Sequence, residues 1–280
     1  MVLGQHINNR IMKKYVRIIL SLIIITLCSC VGGNGGKQHG TDTATELACD
    51  TAVCINDTIA LDDYVQGSPT MKVSVELTPI RLADEAAKQK AINDISYALS
   101  GEESNSIADA ADKYINKLKS EYMELRAEYI DVRDNYENPH WFNHEYSVKS
   151  SCATGYKGLV NYTIDIFEYA GGAHPYSYRV VLTFNPKDGH EVTLGEIMKE
   201  GYEEPLLQII TAELMKFFNV SNIEELDNFI FDHNDLYVSK NIEMGKDKMT
   251  FIYNKYDIAP YAIGEIALDI DYDRLKDLMK

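Results

Sequence analysis

The stretch Phe167-Glu168-Tyr169-Ala170-Gly171-Gly172-Ala173-His174-Pro175-Tyr176-Ser177-Tyr178 constrains this chain more than any other. Leu159 to Phe167 enters it with β-branched and aromatic residues alternating with polar ones, and Tyr178 to Phe184 leaves it as a second such run. Period-two alternation reads as strand. The two glycines between the runs can adopt positive φ and leave their amides uncovered. Pro175 biases His174 toward an extended backbone, and Tyr176 and Tyr178 stand close by. Such a loop can hold a ligand through Gly171, Gly172, His174, Tyr176 and Tyr178. It can equally be a tight turn whose histidine bonds backbone groups. Nothing in it dictates a reaction.

The N-terminus reads as an address. Lys13, Lys14 and Arg17 precede or open an apolar run from Val16 to Leu27, which ends in Leu27-Cys28-Ser29-Cys30. A basic segment, a short apolar core and small residues at its end make a secretory signal over residues 1–29 and not a membrane span. Leu27 to Cys30 resembles the lipobox of bacterial lipoproteins, which implies cleavage before Cys30 and diacylation of its sulfur. Localisation at the cell envelope follows, on the periplasmic side or at the outer-membrane surface, with the lipid as the attachment to the membrane. Removing residues 1–29 deletes four basic and no acidic residues, taking the formal charge from -16 to -20. A surface that acidic repels nucleic acid and attracts cationic partners, although a solvated acidic face needs no partner at all.

Residues 30–69 begin with a glycine-rich run and show no sustained periodicity, so they read as a flexible tether. Cys49 and Cys54 lie within it. In an oxidising envelope they can form a local disulfide, stay unpaired, or bond to Cys152.

Beyond the tether, Met71 to Pro79 alternates as a half-buried strand, and Leu82 to Leu99 carries apolar residues every four positions as an amphipathic helix stopped by Gly101. Ser104 or Ser106 can cap a second helix with Tyr114, Leu118 and Tyr122 on its apolar stripe. Tyr146 to Ala153 and Leu159 to Phe167 read as a hairpin. The pair His140 and His144 has helical metal-ligand spacing, but Pro139 and the β-forming run that follows favour extended backbone, where the spacing does not converge. No metal site and no cofactor is expected. After the turn Asn185 to Gly189, Thr193 can cap a short helix, Glu203 to Phe218 is helical, and Ser221 can cap a further helix through Phe229. Asp235 to Glu243, Lys248 to Tyr253 and Glu265 to Asp271 read as strands, and Tyr272 to Lys280 as a closing helix.

Between the last two strands lies Tyr256-Asp257-Ile258-Ala259-Pro260-Tyr261-Ala262-Ile263-Gly264. Together with Tyr169 to His174, Phe184 to Gly189, Thr193 to Ile197 and Phe251 to Tyr253, this resembles the extracytoplasmic domain of the anti-sigma-V factor RsiV, found also beside peptidoglycan deacetylases of the PdaC type. Asp257 replaces the glutamate usual in that family and keeps the carboxylate. The resemblance covers Leu159 to Met279, and residues 70–167 resemble the small α/β segment that precedes such domains. It implies recognition of lysozyme or cell-wall glycan. On their own chemistry Tyr256, Asp257, Pro260 and Tyr261 can join the ligand-contacting candidates of the first loop, or Ala259-Pro260-Tyr261 can be a packing corner with the tyrosine hydroxyl satisfied internally. Neither the sigma-binding role nor deacetylation is expected to transfer, since the sequence shows no cytoplasmic segment long enough for sigma binding, no membrane span, and none of the deacetylase domain's metal-binding motifs.

The expected architecture is α+β: an antiparallel sheet with helices packed on it in two lobes, divided into residues 70–167 and 168–280. The expected function is a lipid-anchored envelope binding module for a cell-wall glycan or a lysozyme-like protein. Two alternatives stand beside it: an acidic inhibitor or decoy of a lysozyme-type enzyme, and a wall hydrolase using His174 with Asp257 or Glu168. No nucleophile elbow, phosphate-binding loop, zinc motif or dinucleotide fingerprint favours an enzyme.

Overall fold

Alternation produces the first sheet. A computed structural model of the chain describes residues 52–136 and 139–280. In it β1 (Val53–Ala60), β2 (Thr70–Leu77), β3 (His144–Thr154), β4 (Val160–Ala170) and β5 (Tyr176–Phe184) lie side by side in sequence order. Every neighbouring pair is antiparallel except β2 and β3, which run parallel. A parallel pair needs a long crossover, here supplied by α1 (Glu85–Ser100), α2 (Ile107–Met123) and α3 (Arg126–Val132). Asp84 caps α1 by accepting from Ala86 N and Ala87 N, and Gly101 ends it in the left-handed conformation at φ 79°. Ser106 caps α2, while Ser104 is buried against Ser96 at 2.6 Å.

The helices cover one face of this sheet. Val73, Val75, Val148, Ile164 and Ile166 from the strands form a core with Ile92, Ile95, Ile115 and Leu118 from the helices. The other face carries a row of alternating charge in register across four strands: Glu76, Lys149, Asp165 and Arg179. Lys149 pairs with Glu76 at 3.4 Å, and Arg179 with Asp165 at 2.7 Å and Glu265 at 3.0 Å. Exposed pairs of this kind contribute under about 1 kcal/mol each. Their larger effect is on register, because a one-residue slip would move the whole set to the core face.

The second lobe has its own core. β6 (Ile242–Met244), β7 (Lys248–Tyr253) and β8 (Ile266–Asp271) form an antiparallel sheet, and Phe251, Leu268 and Ile270 pack with Leu206, Ile210 and Leu214 of α5 (Glu203–Phe217). Before α5, Thr193 and Glu196 form a capping box on α4 (Leu194–Ile197), and α6 (Tyr272–Leu275) follows β8. The fold is therefore α+β with an antiparallel-dominated main sheet, as expected.

Asparagine side chains join the lobes. Asn161 of β4, 2 % exposed, donates to Met244 O and accepts from Met244 N and Thr183 Oγ1. Asn241 accepts from Val181 N and donates to Arg179 O, and Asn254 accepts from Arg179 N and donates to the same carbonyl. Val192 N donates to Thr183 O. The outer edge of β5, which would otherwise offer unpaired backbone groups, is thus closed at Arg179, Val181 and Thr183.

Several expectations are corrected. The tether does not reach residue 69: Val53–Ala60 is a strand in which Val53, Ile55 and Ile59 turn toward the core and Cys54, Asn56 and Thr58 outward. Buried Asp62, bonded to Arg126 and Arg133, pins the following turn to α3. Cys54 is exposed on β1, on the face opposite the one that Cys152 packs against, so the two do not face each other. The boundary at 167/168 falls inside β4; the cores instead divide at the turn Asn185 to Gly189. Asn222, not Ser221, caps the segment Ile223–Asn228, which is a 3-10 helix. Of Asp235 to Glu243 only the end is strand, since Ser239 and Asn241 bond back to the loop and to β7. The closing helix stops at Leu275, where the chain turns so that Lys280 N reaches Ile197 O. The Glu203 to Phe229 pair packs on the small sheet, not the large one. The signal segment 1–29, Cys30 and Cys49 lie outside the described residues. No described helix is long and apolar enough to cross a membrane.

Candidate functional site

The first loop is the tip of the β4–β5 hairpin, Gly171 to Pro175. Gly171 sits at φ 73°, and a Cβ there would lie 1.6 Å from Trp141 O. Only glycine allows both the left-handed backbone and this close approach, so the loop is seated on the 3-10 turn His140–Phe142. Gly172 has open space around it. The second loop follows β7. Tyr256 takes φ 69°, held by Tyr256 N donating to Ala259 O at 3.2 Å. Asp257 accepts from Asn254 N at 2.7 Å, and Pro260 leads into the 3-10 turn Tyr261–Ile263.

These loops meet. Tyr261 Oη donates to Pro175 O at 2.8 Å, Tyr176 Oη to Lys255 O at 3.2 Å, and Lys255 Nζ to Ser177 Oγ at 2.6 Å. The result is a ladder of rings. His174 stacks on Tyr261 at 5.4 Å and 21°, Tyr261 lies 5.8 Å from Tyr256, Tyr256 6.3 Å from Tyr176, and Tyr176 5.4 Å from Tyr178. Lys255 Nζ stands 4.9 Å above the Tyr261 ring, within cation–π range. Tyr256 is 56 % exposed, His174 is exposed, and Tyr176, Tyr178 and Tyr261 are half-buried.

The ladder's inner end is polar. Tyr178 Oη donates to Glu168 at 3.3 Å, and burial pushes the Glu168 carboxyl above the usual range, partly offset by that bond. Burial likewise raises the Tyr176 and Tyr178 hydroxyls, with Asp257 and Glu168 respectively adding to the effect. Partial desolvation raises Asp257, opposed by the Asn254 N–H. His174 does not pair with either carboxylate: its ring lies on Tyr261, Asp257 is held by Asn254, and Glu168 sits at the other end of the ladder.

The structure therefore brings Gly171, His174, Tyr176, Tyr178, Tyr256, Asp257 and Tyr261 together, with Gly172 and Pro260 exposed at the rim. Lys255, which bridges the loops, carries no signal in the sequence beyond its place beside Tyr256. Of the two histidines at metal-ligand spacing, His140 opens the 3-10 turn and His144 opens β3. His144 packs on Tyr122 at 5.1 Å, and burial lowers its pKa to about 4. Asp227, Asp232 and His233 place ligand atoms within 4.8 Å of one another. Asp227 is engaged by His233 at 2.9 Å and Asp232 caps the turn that follows, so the local fold accounts for all three.

Residues 195–273, most of the second lobe, match a family model described as Protein of unknown function (DUF3298). A solved member of the DUF3298 family from Bacteroides fragilis NCTC 9343 is similar over 84% of this chain and 94% of its own, at 26% identity and a TM-score of 0.74. A DUF3298 family protein from Pseudomonas aeruginosa PAO1 shares the fold over 82% of this chain and 94% of its own, at 15% identity and a TM-score of 0.54. No curated protein matches this chain. These matches are consistent with an RsiV-like domain; the family model spans the second motif loop and not the first.

Proposed function

We propose that this chain is a lipid-anchored module of the cell envelope that binds a cell-wall glycan on the ladder from His174 to Tyr178. The observation that carries the reading is the convergence of two loops, 86 residues apart at the Tyr261–Pro175 bond, into one run of roughly parallel, partly exposed rings. Flat amphipathic rings suit the apolar faces of sugars, and the hydroxyl oxygens of Tyr176 and Tyr261, whose protons are donated within the site, can still accept from sugar hydroxyls. Asp257 and Glu168 supply acceptors beside and behind the stack. Attachment through a lipid on Cys30 rests on the lipobox-like Leu27 to Cys30.

A second reading has its own support. The formal charge of -16 favours encounter with a basic protein such as lysozyme, and the same ladder would then hold a protein loop, as in an inhibitor or decoy. Titration with soluble wall glycan fragments and with lysozyme, at low and at physiological salt, separates the two. Glycan binding that persists in salt and falls at least tenfold on Tyr256→Ala supports the first. Salt-sensitive binding of lysozyme alone replaces it with the second. Turnover of the fragments, lost on His174→Ala, would overturn both in favour of a hydrolase.

A further inference from the structure

A cleft of about 860 Å³ opens between β5, the N-terminus of α5 and the segment 236–244, away from the aromatic ladder's two loops. It lies where the lobes meet, has the size of a small-molecule site, and has an apolar lining with a few polar groups, as such sites do. Its floor is core: Leu194, Leu236, Ile242 and Met244 are each less than a tenth exposed. Tyr202 and Tyr237 stand at its sides. Glu191, Glu203, Glu204 and Lys240 are the charged groups lining it, and none makes an ion pair or a side-chain hydrogen bond among the described residues. Glu203 and Glu204 lie in the first turn of α5, and Glu191 is exposed across the cleft from them.

Two features narrow the occupant. The backbone of β5 beside the cleft is already bonded, Val181 N by Asn241 and Thr183 O by Val192 N. A peptide therefore cannot add there as a strand, and a ligand must be held by apolar contact and by charge. Three carboxylates face one ammonium, so the surplus charge is negative.

We propose that this cleft binds a small amphiphile with an apolar body and a protonated amine, the body lying on Leu194, Leu236 and Met244 and the ammonium among Glu191, Glu203 and Glu204. Glu191 is exposed at the mouth of the cleft, where partial desolvation and then the neighbouring Asp94 raise its carboxyl, and a cation placed there offsets that repulsion. The proposal is independent of the ladder, and glycan binding can fail without affecting it.

The test is calorimetric titration of the full chain with decylammonium and with decyl sulfate, both below their micelle concentrations. Saturable binding of one ammonium amphiphile, at least tenfold tighter than the sulfate, is expected. Glu203→Gln with Glu204→Gln should erase most of that preference, and Leu207→Trp, which fills the cleft, should abolish binding of both. Equal affinity for the two head groups overturns the proposal, as does unsaturable uptake or binding unchanged in the glutamine pair. Because those two glutamates are exposed, the paired variant decides the matter even where Leu207→Trp fails to fold.

Discussion

At the scale of single residues, adjacent positions in one motif carry different weight. Gly171 has a left-handed backbone and a Cβ there would lie 1.6 Å from Trp141 O, whereas a Cβ at Gly172 would meet nothing within 4 Å. Gly171→Ala should cost about 1–3 kcal/mol from backbone strain alone, with the clash adding to it. Gly172→Ala should leave stability within about 0.5 kcal/mol. Denaturant midpoints of the two variants check this, and equal losses would show that the loop is not seated on Trp141. The sequence announces a pair of glycines and cannot say which is needed, because the reason is a carbonyl thirty positions upstream. The same blindness hides Asn161. An asparagine inside an alternating strand looks like a solvent-facing position, yet it is buried by a partner 83 residues away.

At the scale of elements, the legible parts were those whose causes are local. The hairpin β3–β4, the stop of α1 at Gly101 and the Thr193 cap of α4 all follow from residues within a few positions of one another, whereas the Asp84 cap of α1 went unread. What was not legible depends on contact between elements. β1 was hidden because its alternation is weak, with Asp57 on the inward side, where it pairs with Lys119 of α2 at 2.5 Å. The meeting of the two aromatic loops was likewise beyond any local signal. The closed edge of β5 makes a prediction at this scale. Asn241→Ala and Asn254→Ala each strip bonds from Arg179 or Val181, at about 1–3 kcal/mol apiece. Together they should reopen a strand edge and promote self-association, seen as concentration-dependent light scattering. A double variant that is destabilised yet strictly monomeric would show that the edge is protected by something else.

At the scale of the whole molecule, two histidines tilt stability in opposite directions with pH. His190 lies between Asp188 at 2.6 Å and Glu196 at 2.8 Å, which raise its pKa above the ordinary value. Its contribution is full below about 6.5, the unfolded value, and is lost as pH rises through the raised folded one. Burial lowers His144 to about 4, so its contribution is present above about 6.5 and is lost as pH falls toward 4. Melting temperature should therefore fall on both sides of a maximum at about pH 6.5. His190→Gln should flatten the alkaline side only, and His144→Phe the acid side only; a variant that moved the other limb would refute the assignment. The parallel contact between β2 and β3 has a consequence in time. β3, β4 and β5 join through short turns, while β2 reaches β3 only across the helical crossover of residues 78–143. Short-range contacts close before long-range ones. Substitutions such as Ile164→Val should therefore slow refolding, and Val73→Ala should chiefly hasten unfolding. The N-terminal hairpin, the part nearest the proposed membrane anchor, would be the last to lock and the first to let go.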